Sequence, residues 1–97
     1  MSKFDQAKML MQVKKAQKEL QNAIVRVEAG EGAVVVEMSG EMKLKKVSID
    51  PEYVDLEDIG QLERWVEEGV KEAINASQKL AQDKMAPLLG GLGNLGL

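Results

Sequence analysis

The chain has no cysteine and no histidine among its 97 residues. Without cysteine it has no disulfide framework, no thiolate metal site and no thiol nucleophile. Without histidine it lacks the commonest general base and the commonest metal ligand of proteins. No glycine-rich loop lies between a predicted strand and a predicted helix, as a nucleotide cradle requires. These absences argue against an enzyme, and we expect neither a bound metal nor a cofactor.

Long hydrophobic runs are also missing. No apolar stretch approaches the roughly 20 residues that a membrane-spanning helix needs, and no signal peptide opens the sequence. Charged residues make up 30% and hydrophobic residues 44% of the chain, a balance typical of a globular protein. We therefore expect one cytoplasmic domain without a membrane partner. Its core is small, so helix packing or a partner subunit must add stability.

The charges are unevenly distributed along the chain. The formal net charge of −3, taken alone, argues against nucleic acid as a partner. Residues 1–24, however, contain five lysines and two acids, hence +3. Residues 50–72 contain nine acids against one arginine and one lysine, hence −7. The sequence therefore describes a polar molecule with one basic and one acidic region.

The first third of the chain predicts an amphipathic helix over residues 3–24. At the helical advance of about 100° per residue, its apolar residues fall on one narrow stripe. The stripe comprises Met9, Val13, Ala16, Leu20, Ala23 and Val27. The opposite side carries lysines, namely Lys3, Lys8, Lys14, Lys15 and Lys18.

Residues 24–49 change to the alternating pattern of strands. Three such segments, rich in valine, are separated by glycine-containing turns at residues 30–32 and 39–41. In the third segment the alternation slips at Lys46, which predicts a β-bulge or a strand end buried on both faces. Three antiparallel strands joined by tight turns form a meander.

The last third predicts a second helix over residues 56–85. Asp55 is a candidate N-cap, and Pro87 is expected to end the helix. Residues 87–97, rich in glycine and leucine, are expected to form a flexible tail. The predicted fold is therefore α+β. A single domain over residues 1–86 has the order α-β-β-β-α, with a three-stranded antiparallel meander and two long helices.

A second copy of the chain is expected to complete this fold. Two helices cover only one face of a three-stranded sheet well, and the edges of the sheet need protection. The first helix is also too long for so small a sheet, so part of it must project. We therefore expect a homodimer that joins through the sheet.

The order and spacing of these segments resemble the YbaB/EbfC family of bacterial nucleoid-associated proteins, over essentially the whole chain. No single segment is specific, but their succession is. The segments are MLMQVKKAQ (9–17), GAVVVEMSG (32–40), VSIDP (47–51), VDLEDI (54–59), LERWV (62–66), KEAI (71–74), QKLAQDKM (78–85) and the glycine-rich end.

The resemblance implies a small cytoplasmic protein of the nucleoid that forms a tight homodimer. In this family the two sheets join at the dimer centre and the helices project like tweezers. The resemblance also implies binding to double-stranded DNA with little sequence preference. Such binding alters the conformation of the DNA and affects gene expression and nucleoid organisation.

Lysines are the candidate DNA-binding residues. They lie on the first helix and the third strand: Lys3, Lys8, Lys14, Lys15, Lys18, Lys43, Lys45 and Lys46. Lysine suits sequence-independent phosphate contact, whereas arginine more often reads guanine, and the chain has only Arg26 and Arg64. The alternatives are an ordinary solvated helix face and protection of an edge strand by lysine.

Five apolar residues are candidates for the dimer interface. They are Phe4, Met11, Val34, Val36 and Trp65. Phe4 and Met11 lie on the lysine side of the first helix, seven residues apart, so an apolar contact with DNA is the alternative for them.

A second hypothesis belongs to another functional class. The acidic region or the leucine-containing tail could dock a protein partner, such as a recombination or replication factor. The chain would then be a dimeric protein-interaction module. Catalysis by paired carboxylates of the acidic region is the least favoured interpretation, because no histidine or cysteine accompanies them.

Overall fold

The structure, a computed structural model, describes the backbone of residues 2–93 and the side chains of residues 2–88. Its elements are α1 (Lys3–Asn22), β1 (Ile24–Ala29), β2 (Val34–Ser39), β3 (Leu44–Ile49), a short 3₁₀ turn (Pro51–Tyr53) and α2 (Ile59–Gly93). The predicted α-β-β-β-α order is confirmed.

A side-chain cap starts α1. The Ser2 hydroxyl accepts a hydrogen bond from the backbone N–H of Asp5 (3.2 Å) and donates one to its carboxylate (3.1 Å). This arrangement pairs one of the N–H groups that the first turn of a helix leaves without a partner. The helix ends at Asn22, two residues before the predicted end, because Ala23 already has the extended backbone that leads into β1.

The three strands form one antiparallel sheet in the order β1-β2-β3. In the pairing of β2 with β3, Glu37 lies opposite Lys46 while Met38 lies opposite Leu44. Lys45 is therefore an extra residue on β3, a β-bulge that confirms the slip predicted from the alternation. The bulge turns Leu44, which precedes it, to the same face of the sheet as Val47.

The core lies between α2 and one face of the sheet. Its buried residues are Ala29, Val34, Val36, Met38 and Ala73. Gly69 allows α2 to come close to this face, because a Cβ at that position would lie 2.9 Å from Cγ2 of Val36. Gly30 in the β1–β2 turn does the same for Trp65, whose ring would lie 2.5 Å from an added Cβ.

The helix covers only part of the sheet. α2 packs on β1 and β2. On β3, Leu44, Val47 and Ile49 share the core face of the sheet and yet remain 54%, 37% and 44% exposed. An apolar row on an edge strand is therefore left open to solvent.

A hydrogen-bonded cluster joins α2 to the β2–β3 turn. The buried Ser77 hydroxyl donates to the backbone carbonyl of Ser39 (2.7 Å) and accepts from the N–H of Met42 (3.1 Å). Gly40, in the same turn, donates its N–H to the carbonyl of Leu20 (2.9 Å), so α1 is fixed to the same point. Both helices thus meet the sheet at one end.

Beyond this point the two helices continue together as an arm. α1 runs antiparallel to the second half of α2, and Glu19 pairs with Lys84 across them at 2.8 Å. The whole molecule measures 65 × 23 × 14 Å, which reflects this projection. The expected projection of the first helix is confirmed, with the second half of α2 beside it.

Two predicted boundaries of α2 are wrong. The helix begins at Ile59 rather than at 56, because Asp55 accepts from the N–H of Glu57 within a turn and Asp58 accepts from the N–H of Gln61 at the helix start.

The helix also continues beyond its predicted end, through Pro87 to Gly93. Proline removes one helical hydrogen bond. Pro87 and Asp83 are both exposed, so water reaches the carbonyl that proline leaves unpaired. Of the predicted tail, residues 87–93 are helical and 94–97 lie outside the described residues.

Replacing Gly69 with alanine tests the close approach of α2. Helix propensity favours alanine by up to about 1 kcal/mol, but overpacking against a stiff, buried valine costs typically about 1–3 kcal/mol. We expect Gly69→Ala to lower the free energy of unfolding in urea. The matched control is Gly60→Ala, whose new Cβ would lie 3.4 Å from Nη1 of Arg64 and should not destabilise. Equal stability of the two variants would contradict this packing.

Candidate nucleic-acid interface

The side of α1 that faces away from α2, called the outer face below, presents the predicted lysines to solvent. The helix turns Ala16 and Leu20 inward, where both are buried, and Met9 and Val13 are half-buried on the same stripe. The lysines of the opposite side, Lys3, Lys8, Lys14, Lys15 and Lys18, are all exposed. Lys15 lies at the edge of this side, where it also lines the groove between the two helices with Glu19 and Lys84. A 20-residue helix is about 30 Å long, so the structure brings these charges together along one rod.

None of these five lysines forms an ion pair with another described residue. The ion pairs among the described side chains are Arg26 with Glu28 and Glu37, Lys71 with Glu67, and Lys84 with Glu19. The positive charge of the outer face is therefore not met by a direct ion pair within the described part of the protomer, although the charge of Lys15 acts on Glu19 one turn away. Lysine ammonium groups in this state are suited to bind an external anion.

The acid closest to the outer face is engaged by α2. Glu19 accepts a hydrogen bond from Nζ of Lys84 at 2.8 Å. This bond and the positive charge of Lys84, with a smaller effect of the charge of Lys15, lower the pKa of Glu19 from its ordinary value. The interaction joins α1 to α2 and orients the carboxylate of Glu19 toward α2.

The outer face also carries exposed apolar side chains. Phe4 is 88% exposed and Met11 is 71% exposed. Met11 lines a shallow groove of about 320 Å³ with Lys8, Gln12 and Lys15. The two candidate interface residues thus share a surface with the candidate DNA-binding lysines.

The lysines of the third strand lie at the arm end of the sheet. Lys43 is in the β2–β3 turn, where its N–H donates to Ser39 Oγ, and Lys45 is the bulged residue that follows. Lys46 lies opposite Glu37 in the register, so an acid accompanies it. The structure therefore brings Lys43 and Lys45 near the base of the arm and gives Lys46 an acidic neighbour.

Two of the three remaining interface candidates lie inside the protomer. Val34 and Val36 have no exposed area in one chain, because α2 covers them. Trp65 is half-buried against Gly30. A second chain could not contact Val34 or Val36 without moving α2, so we leave these two residues out of the interface proposed below.

Sequence reasoning missed the open apolar row of β3, which is Leu44, Val47 and Ile49. The signal was present, since a bulge at the predicted slip places these residues on one face of the strand. What the alternation could not reveal is which strands α2 covers. That depends on the path of the helix across the sheet.

The first part of the acidic region lies at the end of the molecule opposite the arm. β1 ends at Ala29 and β3 ends at Ile49, both beside Val34, at the far end of the sheet from Gly40. Residues 50–58 follow at this end and contain five acids and no lysine or arginine. We call them the acidic segment. Five of the nine acids of this region thus lie at the end opposite the arm, and the other four follow on α2 over the sheet.

The described residues show no group of three or more acidic side chains placed to hold a metal ion. Within the same part of the chain, no helix is both long and apolar enough to cross a membrane.

The fold and the site together define a class of protein. Its members are small α+β proteins with a projecting helical arm that carries lysines. The model of the YbaB/EbfC DNA-binding family matches residues 1–92. The chain therefore belongs to this family of nucleoid-associated DNA-binding proteins.

Individual relatives agree with this assignment. A nucleoid-associated protein of Chloroflexus aggregans is 39% identical over 87 residues, which cover 90% of this chain and 87% of that protein. A nucleoid-associated protein of Saccharopolyspora erythraea is 44% identical over 96 residues, covering 93% of this chain and 83% of that protein. The crystal structure of an uncharacterized protein from Helicobacter pylori has the same fold. Its TM-score is 0.75 at 18% identity, and the match covers 86% of this chain and 87% of that one.

Replacing Lys84 with methionine tests the tie between the helices of the arm. The variant removes both the hydrogen bond and the positive charge, so we expect the pKa of Glu19 to rise toward its ordinary value in an NMR titration. Lys71→Met is the matched control. It should raise the pKa of Glu67, which Lys71 lowers in the same way, and leave Glu19 unchanged. If Lys84→Met left the pKa of Glu19 unchanged, Glu19 and Lys84 would not be paired in the arm.

Proposed function

We propose that the protein acts as a homodimer that binds double-stranded DNA through the outer faces of its α1 helices, with little sequence preference. Membership of a DNA-binding family supports the DNA partner and a place in the nucleoid. The proposal adds the residues, the mode of contact and the oligomeric state. The bound duplex is held along the arms, and its conformation changes to fit them.

The observation that carries the proposal is the row of exposed lysines on α1, none of which forms an ion pair among the described residues. Duplex DNA carries one negative charge for about every 1.7 Å of its axis. A straight helix with lysines distributed over several turns can therefore contact successive phosphates. Lys43 and Lys45 extend the positive surface at the base of the arm.

The positions of the arginines support binding without sequence readout. Arg26 is engaged by Glu28 at 3.1 Å, on a strand of the sheet. Arg64 is in the first turns of α2, near the acidic segment rather than on the arm. The outer face thus lacks the side chain that most often reads guanine in the major groove. Phosphate contacts position a protein on DNA but carry no sequence information.

The open row of β3 supports the homodimer. An apolar row on an edge strand is a liability unless something covers it. The other face of the sheet also has Val35 and Ile24, but it is mostly polar, since it carries Arg26, Glu28, Glu37 and Lys46. We therefore place the dimer contact at Leu44, Val47 and Ile49, and two-fold symmetry then doubles the number of arms.

Charge reversal on the outer face tests the DNA contact. In Lys8→Glu/Lys15→Glu, two attractive lysine–phosphate interactions per protomer are replaced by repulsion. We expect the affinity for a short fluorescent duplex, measured by anisotropy, to fall at least tenfold. The slope of log affinity against log salt should also shrink by about 0.9 for each phosphate that is no longer neutralised.

The matched control for this test is Arg64→Glu/Lys71→Glu, which changes the net charge by the same amount at exposed positions of α2 over the sheet. Its affinity should fall much less than that of the arm variant. Equal decreases in the two variants would mean that the net charge, and not the outer face, governs binding.

A glutamate on β3 tests the dimer contact. Val47→Glu puts a charge in the open row, so we expect a monomer by light scattering at concentrations where the unaltered chain is a dimer. Ser48→Glu, on the opposite face of the same strand, is the control and should remain dimeric. Circular dichroism checks that both variants are folded. If the Val47→Glu variant remained a dimer, the dimer interface would have to lie elsewhere.

A further inference from the structure

The outer face of α1 and the acidic segment carry opposite charges that form no ion pairs with the described side chains of their own chain. The outer face of α1 has five lysines without an ion pair among the described residues. The acidic segment has Asp50, Glu52, Asp55, Glu57 and Asp58, and none of these forms an ion pair with a described side chain.

Both ends also expose large apolar side chains. Phe4 and Met11 lie among the lysines. In the acidic segment, Leu56 is 83% exposed. It is held at the tip of a turn, in which Asp55 accepts the N–H of Glu57 (2.9 Å) on its carboxylate and that of Asp58 (3.0 Å) on its carbonyl. An exposed apolar side chain between carboxylates is complementary to an apolar side chain between lysines.

The fold prevents these two surfaces from meeting within one chain. The acidic segment follows the end of β3, at one end of the sheet. The arm leaves from the other end, where Gly40 contacts Leu20, and continues away along the 65 Å axis of the molecule. Any contact between the two surfaces therefore joins different copies.

We propose that the acidic segment of one copy docks on the outer face of α1 of another copy and so competes with DNA for the same lysines. The inference rests on the proposed function, since it assigns a competitor to the proposed DNA site. The contact is heterologous, because different surfaces of the two copies meet, and such contacts join copies into rings or open chains. Free protein thus associates head to tail at low salt, and DNA dissolves the association.

Sedimentation of the DNA-free protein tests the contact. We expect species larger than the dimer at low ionic strength and their disappearance at high salt, because screening weakens interactions between exposed charges. Lys8→Glu/Lys15→Glu and Glu52→Lys/Glu57→Lys should each abolish the larger species. Glu52 and Glu57 are chosen because Asp50, Asp55 and Asp58 accept backbone hydrogen bonds that shape the segment.

Mixing the two variants is the decisive step. In the mixture, the reversed segment of one variant faces the reversed arm of the other, so the larger species should return although neither variant forms them alone. Glu68→Lys/Glu72→Lys, at exposed positions of α2 with the same change in net charge, is the control and should associate like the unaltered chain. Failure of the mixture to associate overturns the inference.

The DNA measurement separates this inference from the proposed function. At protein concentrations where association occurs, Glu52→Lys/Glu57→Lys should bind a short duplex more tightly than Glu68→Lys/Glu72→Lys, by about fivefold or more, the lower end of usual coupling between sites. If the protein binds DNA but does not self-associate, the proposed function stands and the inference is overturned. Self-association without DNA binding in any variant overturns the proposed function.

Discussion

The close contact of α2 with the sheet is the constraint on which the rest of the structure depends. Three small residues at four-residue spacing, Gly69, Ala73 and Ser77, are all buried on this helix. They let its backbone lie near β1 and β2, and Ser77 adds two hydrogen bonds that fix the β2–β3 turn. The same helix then continues beyond the sheet as one half of the arm. The direction of the arm is thus set by packing over the sheet.

This path of α2 has two functional consequences. It leaves the apolar row of β3 uncovered, which supports assembly with a second copy. It also gives α1 a partner along only one side, so that the lysines of the other side remain exposed. One helix therefore determines both the surface we assign to the dimer and the surface we assign to DNA.

Much of the fold could be predicted from the sequence. The turn glycines and the change of period placed the strands, and the slip at Lys46 predicted the bulge found at Lys45. The limits of α2 could not be predicted well. Asp55 and Asp58 are equally good caps by composition, and only the geometry of the turn between them decides which one starts the helix. Proline usually ends or kinks a helix, but α2 continues through Pro87 to Gly93.

The candidate site could be predicted only in part from the sequence. The periodicity of α1 placed its lysines on one face, and the structure has them there, exposed. Their role in DNA binding remains a proposal. The interface candidates Val34 and Val36 were chosen as an apolar strand that needed a cover, but the sequence could not show that α2 of the same chain provides it. The family was recognisable from the succession of segments.

The central claim is that DNA is bound along the outer face of α1 and near the base of the arm. Titration of isotopically labelled protein with a short duplex, followed by NMR, tests it most directly. The account predicts that the largest shifts occur at residues 3–18 and at Lys43 and Lys45, while residues 50–72 change little. Shifts centred on residues 50–72, or none on α1 at low salt, would contradict it.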